Sequence, residues 1–275
     1  MKLKFLFLFI ILVQAKNLLF AQTVLNTQPF VIGESVDIHS SLLNENRTLN
    51  IYLPASYHKD SVKKYPVIYL LDGSADEDFI HVAGLVQFGS FSWINMLPES
   101  IVVGIANIDR RRDFTIPTHN KKDKENNPTT GGSERFIRFI EQELQPFIEK
   151  HYHTDTVKTL IGQSLGGLLA TEILFKKPDL FTNYIIVSPS LWWDDESLLN
   201  LSPLPSRPGK SIYIAVGTEG EVMERTAKQL YDKCLAAREP RDRIFFDFLE
   251  KQDHGDALHL AVYHAFEKIF RKAPR

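Results

Sequence analysis

Short apolar segments alternate with longer amphipathic segments along most of this chain. Most of the short segments are apolar at every position, which is typical of strands buried on both faces of a sheet. They predict strands at 49–53, 67–71, 101–105, 159–162, 184–187, 211–216 and 244–249. The longer segments carry apolar residues at helical spacing and predict helices at 79–88, 133–151, 165–177, 222–238 and 256–271. This order favours an α/β fold with a mostly parallel central sheet and helices on both faces.

Two regions depart from this alternation. Near the start, residues 30–40 and 47–53 flank Asn44-Glu45-Asn46, which predicts an N-terminal antiparallel hairpin. Residues 107–132 are charge-dense and show no pattern of a helix or a strand. Because a long irregular loop in a compact domain is usually functional or mobile, this segment is a candidate functional region.

The composition fits one globular domain. Of the 275 residues, 44% are hydrophobic, enough for a sizeable core, so we expect a single domain over 22–275, with two small domains as the alternative. A formal net charge of -2 provides no basic field for a phosphate backbone, which argues against a nucleic-acid partner. The only cysteine, Cys234, excludes an internal disulfide bond. No feature of the sequence indicates an oligomeric state.

Residues 1–21 have the pattern of a secretory signal peptide. Lys2 and Lys4 precede an apolar run over 5–13, and cleavage after Ala15 or Ala21 fits the small residues there. This predicts a secreted or periplasmic protein, with an uncleaved anchor as the alternative. No later segment is apolar for long enough to cross a membrane, so we expect no membrane insertion after cleavage.

The sequence Gly162-Gln163-Ser164-Leu165-Gly166-Gly167 carries the main chemical signal. A G-x-S-x-G pattern between a buried strand and a helix is typical of a nucleophile elbow, where a sharp turn exposes the serine hydroxyl. A glycine-rich packing turn is the alternative. The position of the pattern, between the predicted strand at 159–162 and the predicted helix at 165–177, favours Ser164 as a nucleophile.

A nucleophilic serine needs a histidine base and an acid that orients the base. In this fold they follow the serine in the order acid, histidine. Of the histidines after Ser164, His254 lies in the loop beyond a predicted strand, where sites of α/β sheets form. His259 and His264 lie within the last predicted helix and favour packing or surface roles. We therefore predict His254 as the base.

The acid is expected in the loop after the strand at 211–216. That loop reads Gly217-Thr218-Glu219-Gly220-Glu221, so Glu219 and Glu221 are both candidates. We prefer Glu219 because Gly220 frees its backbone to turn. The other glutamate would then be an acid at the N-terminus of the next helix, where negative charge is favourable.

Backbone N–H groups are expected to form an oxyanion hole. Leu165, directly after the nucleophile, should supply one donor, and Gly73 or Ser74, after the strand at 67–71, should supply the other. The sequence has no helical His pair beside a glutamate, no cysteine cluster and no glycine-rich nucleotide loop. We therefore expect neither a metal nor a cofactor.

Several motifs together resemble the esterase D family of α/β-hydrolases, in its enterochelin (enterobactin) esterase-like branch. They are Leu49-Asn-Ile-Tyr-Leu-Pro54, Tyr65-Pro-Val-Ile-Tyr-Leu-Leu-Asp-Gly73, Asn107-Ile-Asp-Arg110-Arg-Arg112-Asp113-Phe-Thr115, the Ser164 elbow, Ser188-Pro-Ser-Leu-Trp-Trp193 and His254-Gly255. The resemblance covers nearly the whole mature chain. It implies an α/β-hydrolase fold and hydrolysis of carboxylic esters through an acyl-serine intermediate, with Ser164 and His254 in matching positions. Many members carry the acid where this chain has Gly220, so Glu219 and Glu221 both remain candidates.

The resemblance also has consequences for the substrate. In such relatives the arginine segment and the tryptophan pair approach the site, which makes Arg110, Arg112 and Trp192 candidates for binding an aromatic or anionic acyl group. The substrate is then a small-molecule ester, such as an enterobactin-type trilactone. Alternatives are a carbohydrate acetyl or feruloyl ester, or a thioester as for S-formylglutathione hydrolase, which the signal peptide disfavours. A binding protein that keeps the scaffold without catalysis is the alternative of another class.

Overall fold

The computed structural model describes residues 24–271. The predicted signal peptide lies outside this range. A compact unit begins at Ile32, and the described residues before it, 24–31, contain neither helix nor strand.

The compact unit is built on a mixed sheet of eight strands. These are β1 (Glu34–Ser40), β2 (Glu45–Tyr52), β3 (Tyr65–Leu70), β4 (Ile101–Ile105), β5 (Thr154–Gln163), β6 (Asn183–Val187), β7 (Ser211–Gly217) and β8 (Arg243–Leu249). Their order in the sheet is β1-β2-β4-β3-β5-β6-β7-β8. The hairpin strands β1 and β2 pair antiparallel, and β2 also pairs antiparallel with β4. The remaining neighbours, β4-β3-β5-β6-β7-β8, are all parallel.

Helices lie on both faces of the sheet. They are α1 (Phe79–Ser90), α2 (Arg110–Phe114), α3 (Lys121–Asn126), α4 (Ser133–Phe139), α5 (Gln145–His151), α6 (Leu165–Lys176), the single turn α7 (Trp193–Glu196), α8 (Glu221–Ala236) and α9 (Ala257–Phe270). Two buried cores result, because side chains alternate between the faces of each strand. One core joins the sheet to α4, α5, α6 and α8, and the other joins it to α1 and α9. None of the helices within residues 24–271 is long and apolar enough to span a bilayer.

The structure confirms the predicted fold class and adjusts several elements. The hairpin turn lies at residues 41–44, so it includes the predicted Asn44 but not Glu45 and Asn46, which pair with Ser40 and His39. Residues 107–132 were expected to lack regular structure and instead contain α2 and α3. Each of these short helices has a side-chain N-cap, Asp109 for α2 and Asn120 for α3, which satisfies N–H groups at the start of the helix.

The long helix predicted over 133–151 is also divided. A π-helical turn, Ile140–Leu144, joins α4 to α5. The apolar side chains at both ends of this turn remain buried, so the helical pattern in the sequence is preserved while the backbone changes its hydrogen bonding.

Candidate active site

Ser164 lies on the sharp turn between β5 and α6. Its backbone has φ 58° and ψ −120°, a conformation unfavourable for a residue with a Cβ. Close packing requires the flanking glycines: a Cβ on Gly162 would lie 2.4 Å from the carbonyl oxygen of Gly166. The turn leaves Ser164 partly exposed at the carboxyl edge of the parallel strands. This is the geometry of a nucleophile elbow.

His254 and Glu219 form a direct pair at the same edge. His254 Nδ1 lies 2.5 Å from Glu219 Oε2, and the carboxylate is 2% exposed while the imidazole is 48% exposed. The hydrogen bond to Glu219 raises the pKa of His254, while burial and the positive charge of Arg110 oppose the rise. The imidazole therefore has one nitrogen fixed on the acid and is only half-buried.

The Glu219 carboxylate is held in its ionised form. Burial alone would raise its pKa, but hydrogen bonds from His254, Ser188 and the Gly217 N–H together lower the pKa below its ordinary value. The Gly217 N–H donates to Oε1 at 2.9 Å, and Ser188 Oγ donates to the same oxygen. One carboxylate oxygen is thus fixed by neutral donors and the other faces the imidazole.

Glu221, the second candidate acid, has a different position. It is the first residue of α8 and is exposed. Negative charge there stabilises the helix N-terminus. The structure brings Glu219, and not Glu221, into contact with His254.

The loops that carry the acid and the histidine are bonded to each other and to the elbow. Thr218 N–H donates to Gln252 O at 2.8 Å, and Thr218 Oγ1 donates to Glu250 O at 2.8 Å. A Cβ on Gly217 would lie 2.5 Å from Gln252 O, so glycine permits this close approach. The side chain of Gln163, the residue before Ser164, donates to His254 O at 2.7 Å. The histidine loop therefore lies against the elbow.

The candidate oxyanion donors are not equivalent. Leu165 begins α6, so its N–H has no acceptor within the helix. Gly73 N–H donates to Ile105 O at 3.0 Å, which corrects the expectation that it is free to bind an oxyanion. Ser74 N–H lies 3.3 Å from the exposed Glu77 carboxylate, a long bond that a developing oxyanion can replace. The geometry favours Leu165 with Ser74.

Arg110 and Arg112 lie in the same short helix but contact different parts of the molecule. Arg110 Nε and Nη2 bind the two carboxylate oxygens of Asp72, at 2.5 and 3.0 Å, and Nη2 also donates to Gln163 O. Arg112 binds Glu45 in the hairpin and its neighbour Asp113. Arg110 therefore contacts the elbow, whereas the guanidinium of Arg112 forms a salt bridge with Glu45 of the hairpin.

Trp192 is the more exposed residue of the tryptophan pair. Its exposed fraction is 39%, whereas Trp193 is fully buried and donates through Nε1 to Ile116 O. Trp192 is the second residue after Ser190, whose hydroxyl is 3.3 Å from that of Ser164. Trp192 therefore lies in the segment that contacts the nucleophile, with part of its side chain exposed.

Four site residues were not predicted from the sequence: Asp72, Gln163, Ser188 and Ser190. Asp72 is the second residue after β3, and Ser188 is the first residue after β6. Position after a buried strand is the signal that could have found these two, because the carboxyl ends of parallel strands share one edge of the sheet.

An open pocket of about 550 Å³ adjoins the histidine and the acid, lined by Thr218, Glu219, Met223, Asp253 and His254. A larger cavity of about 700 Å³ lies at the other edge, where β5 and β6 begin, and includes Thr154 and Thr182. None of the site residues described above lines that cavity. Within residues 24–271, no cluster of three or more His, Cys, Asp or Glu side chains could hold a metal ion.

A strained serine at a strand-to-helix turn, on a mixed sheet with helices on both faces, defines a serine hydrolase of the α/β-hydrolase class. The chain belongs to the family described as "Putative esterase", whose model matches residues 40–270. It is a carboxylic ester hydrolase.

Known proteins resemble the chain over most of its length. It is 32% identical over 257 residues to ferri-bacillibactin esterase BesA of Bacillus subtilis, covering 85% of this chain and 88% of that protein. The structure of a BES protein from Bacillus cereus is similar with a TM-score of 0.77 and 29% identity, over 91% of this chain and 100% of the other. An IroE-like serine hydrolase from Shewanella oneidensis gives a TM-score of 0.75 and 30% identity, over 86% and 80% of the two chains.

Proposed function

We propose that Ser164 is the nucleophile, His254 the general base and Glu219 the acid of a catalytic triad. The observation that carries this proposal is the backbone of Ser164, which has a positive φ that a serine seldom adopts. Such strained residues cluster at functional sites, and here the strained turn exposes the hydroxyl. The direct bond between His254 Nδ1 and Glu219 supports it, because a triad acid fixes the imidazole in the tautomer that accepts a proton at Nε2.

The reaction proceeds in two steps. Ser164 Oγ attacks the ester carbonyl carbon while His254 takes the hydroxyl proton, and Leu165 N–H and Ser74 N–H stabilise the negative oxygen. The bond to the alkoxy oxygen then breaks, His254 donates its proton to that oxygen, and the alcohol departs. Water, deprotonated by His254, attacks the acyl carbon; the bond to Ser164 Oγ then breaks, Oγ takes the proton back from His254, and the carboxylic acid is released.

The proposed substrate is a siderophore whose backbone contains carboxylic esters, such as a catecholate trilactone. Support comes from the relative named as a ferri-bacillibactin esterase, which aligns over most of both chains. The rim of the site adds chemical support: Trp192 has an exposed aromatic face suited to catechol rings, whereas Arg110 is paired with both carboxylate oxygens of Asp72. Arg112, with its donors bound to Glu45 and Asp113, is not part of this proposal.

A substrate panel tests the proposal. Hydrolysis of a catecholate trilactone is compared with that of p-nitrophenyl esters, a feruloyl ester and an acetylated sugar. We expect the highest kcat/KM on the trilactone. Ser164→Ala should lose about six orders of magnitude in turnover and all labelling by a fluorophosphonate probe. A Ser164→Ala protein with a tenth of wild-type turnover would disprove the serine mechanism, whereas a preference for feruloyl or acetyl esters would overturn only the substrate.

We further propose that the protein is exported, with residues 1–21 as its signal peptide. The basic residues, the apolar run and the small residues at Ala15 and Ala21 support this. N-terminal sequencing of protein recovered from outside the cytoplasm should begin after one of these alanines. Recovery of the full-length chain in the cytoplasm alone would contradict it.

A further inference from the structure

The segment Ser188-Pro189-Ser190, directly after β6, contacts two residues of the proposed triad. Ser188 Oγ donates to Glu219 Oε1, the carboxylate oxygen that His254 does not use. Ser190 Oγ lies 3.3 Å from Ser164 Oγ, and Ser190 N–H donates to Ser164 O at 3.0 Å. Both serines are buried. One short segment thus connects the acid to the nucleophile.

The backbone of this segment is fixed. Ser188 has φ 44°, in the left-handed region that favours glycine, and its N–H donates to Ala215 O at 2.8 Å. Pro189 packs against the helix after the elbow, where a Cβ on Gly167 would lie 2.9 Å from Pro189 Cα. A serine in a conformation that suits glycine indicates that its hydroxyl has a use, because strained residues cluster at functional sites.

We propose that Ser188 is a positioning residue for the triad acid. The proposal rests on the function proposed above. Ser188 and the Gly217 N–H both bind Glu219 Oε1, which sets the plane of the carboxylate so that Oε2 faces His254. Both donors are neutral, so they orient the carboxylate without cancelling the charge that stabilises the imidazolium. Ser190 holds the other end of the segment on the nucleophile, which keeps the acid and Ser164 at a fixed separation.

Ser188→Ala and Ser188→Gly test this role. Both remove the hydroxyl, and glycine also suits the left-handed backbone, so it guards against misfolding of the alanine variant. We expect kcat to fall roughly tenfold to a hundredfold with KM changed less than about twofold, as for loss of a hydrogen bond to a charged group. Ser133→Ala is the matched control, because Ser133 is buried and its hydroxyl has no partner among the described residues. It should keep wild-type kcat.

A double-mutant cycle separates positioning from a structural role. In a Glu219→Gln background, removal of the Ser188 hydroxyl should cost less than about twofold, because the hydroxyl acts through the carboxylate. An equal loss in both backgrounds, or wild-type kcat in both Ser188 variants, would overturn the proposal. Activity retained by Ser164→Ala would instead show that the proposed triad itself is wrong, so the two failures are distinguishable.

Discussion

Two of the histidine–carboxylate pairs in this molecule are similar in geometry and differ in their surroundings. His254 Nδ1 lies 2.5 Å from Glu219, and His264 Nδ1 lies 3.3 Å from Asp247. In each pair the histidine is partly exposed and the carboxylate is largely buried. Contact between the two residue types is therefore not sufficient to define a catalytic pair.

The two pairs differ in the groups that bind the carboxylate oxygen not facing the histidine. Glu219 Oε1 binds Ser188 and a backbone N–H, which are neutral, so the negative charge is left for the imidazole. Asp247 Oδ1 binds the Lys268 ammonium group, and the Tyr213 hydroxyl donates to Oδ2, the oxygen that faces His264. A cation already balances Asp247, and this pair lies between β8 and α9, away from the loops that hold Ser164. The proposed catalytic pair is the one whose carboxylate is not balanced by a bound cation.

Removal of each imidazole should give the largest contrast. His254→Ala should lower kcat by about four to six orders of magnitude, because the base acts as a unit with the nucleophile. His264→Ala should keep kcat within about threefold of wild type, since it only loses a partly exposed ion pair. Steady-state hydrolysis of a p-nitrophenyl ester measures both. Comparable losses in the two variants would show that the two pairs do not differ in function.

Neutralising the acids should give the next largest effect. Glu219→Gln should cost roughly a hundred- to ten-thousand-fold in kcat, because the amide no longer fixes the tautomer or stabilises the imidazolium. Glu221→Gln is the control, two residues away at the start of α8, and should cost only about 0.3–1 kcal/mol of stability. Near-wild-type kcat in both variants would indicate a serine–histidine dyad.

The pH profile of kcat/KM should differ between wild type and Glu219→Gln. Neutral His254 is the active form, and the hydrogen bond to Glu219 raises its pKa, so the wild-type rate should rise with pH through a value above the ordinary histidine pKa of about 6.5. Without the carboxylate, the pKa of His254 should fall, so the acid limb of the residual activity should shift to lower pH. Profiles measured from about pH 4.5 to 9 test this. An acid limb that stays in place, or moves to higher pH, would contradict the assigned coupling.

The smallest effect is expected at the second pair. Asp247→Asn should lower the free energy of unfolding by about 0–1 kcal/mol, because its partners Lys268 and His264 are partly exposed. Urea unfolding of the folded enzyme measures this, with kcat as the companion reading. A loss of kcat beyond about tenfold would mean that this pair, too, takes part in catalysis.

Local patterns in the sequence predicted much of the site. The elbow around Ser164 lies within six consecutive residues, and His254 follows a strand whose apolar pattern is clear, so both could be placed without long-range information. The fold class followed in the same way, from the alternation of strands and helices. The short helix α2 was missed, although Asp109 as its N-cap was a usable signal.

Long-range contacts could not be predicted from the sequence. Arg110 and Arg112 are two residues apart, and only the tertiary structure directs one to Asp72 and the other to Glu45. Gly73 and Ser74 are equivalent candidates in the sequence, and only the tertiary hydrogen bond from Gly73 N–H to Ile105 O separates them. The contact between Ser188 and Glu219 joins residues 31 positions apart through a left-handed backbone that a serine seldom adopts.

The bonds from Thr218 to the loop after β8 have a consequence for how such enzymes diversify. Because Gly217 allows the two loops to pack closely, the acid and the histidine form one module on adjacent strands. Changes at exposed rim positions such as Trp192, outside the Ser188-Pro189-Ser190 segment, can then alter substrate range while this module is kept intact. Laboratory evolution directed at the rim should therefore tolerate substitutions far better than the same mutational load placed on residues 217–220.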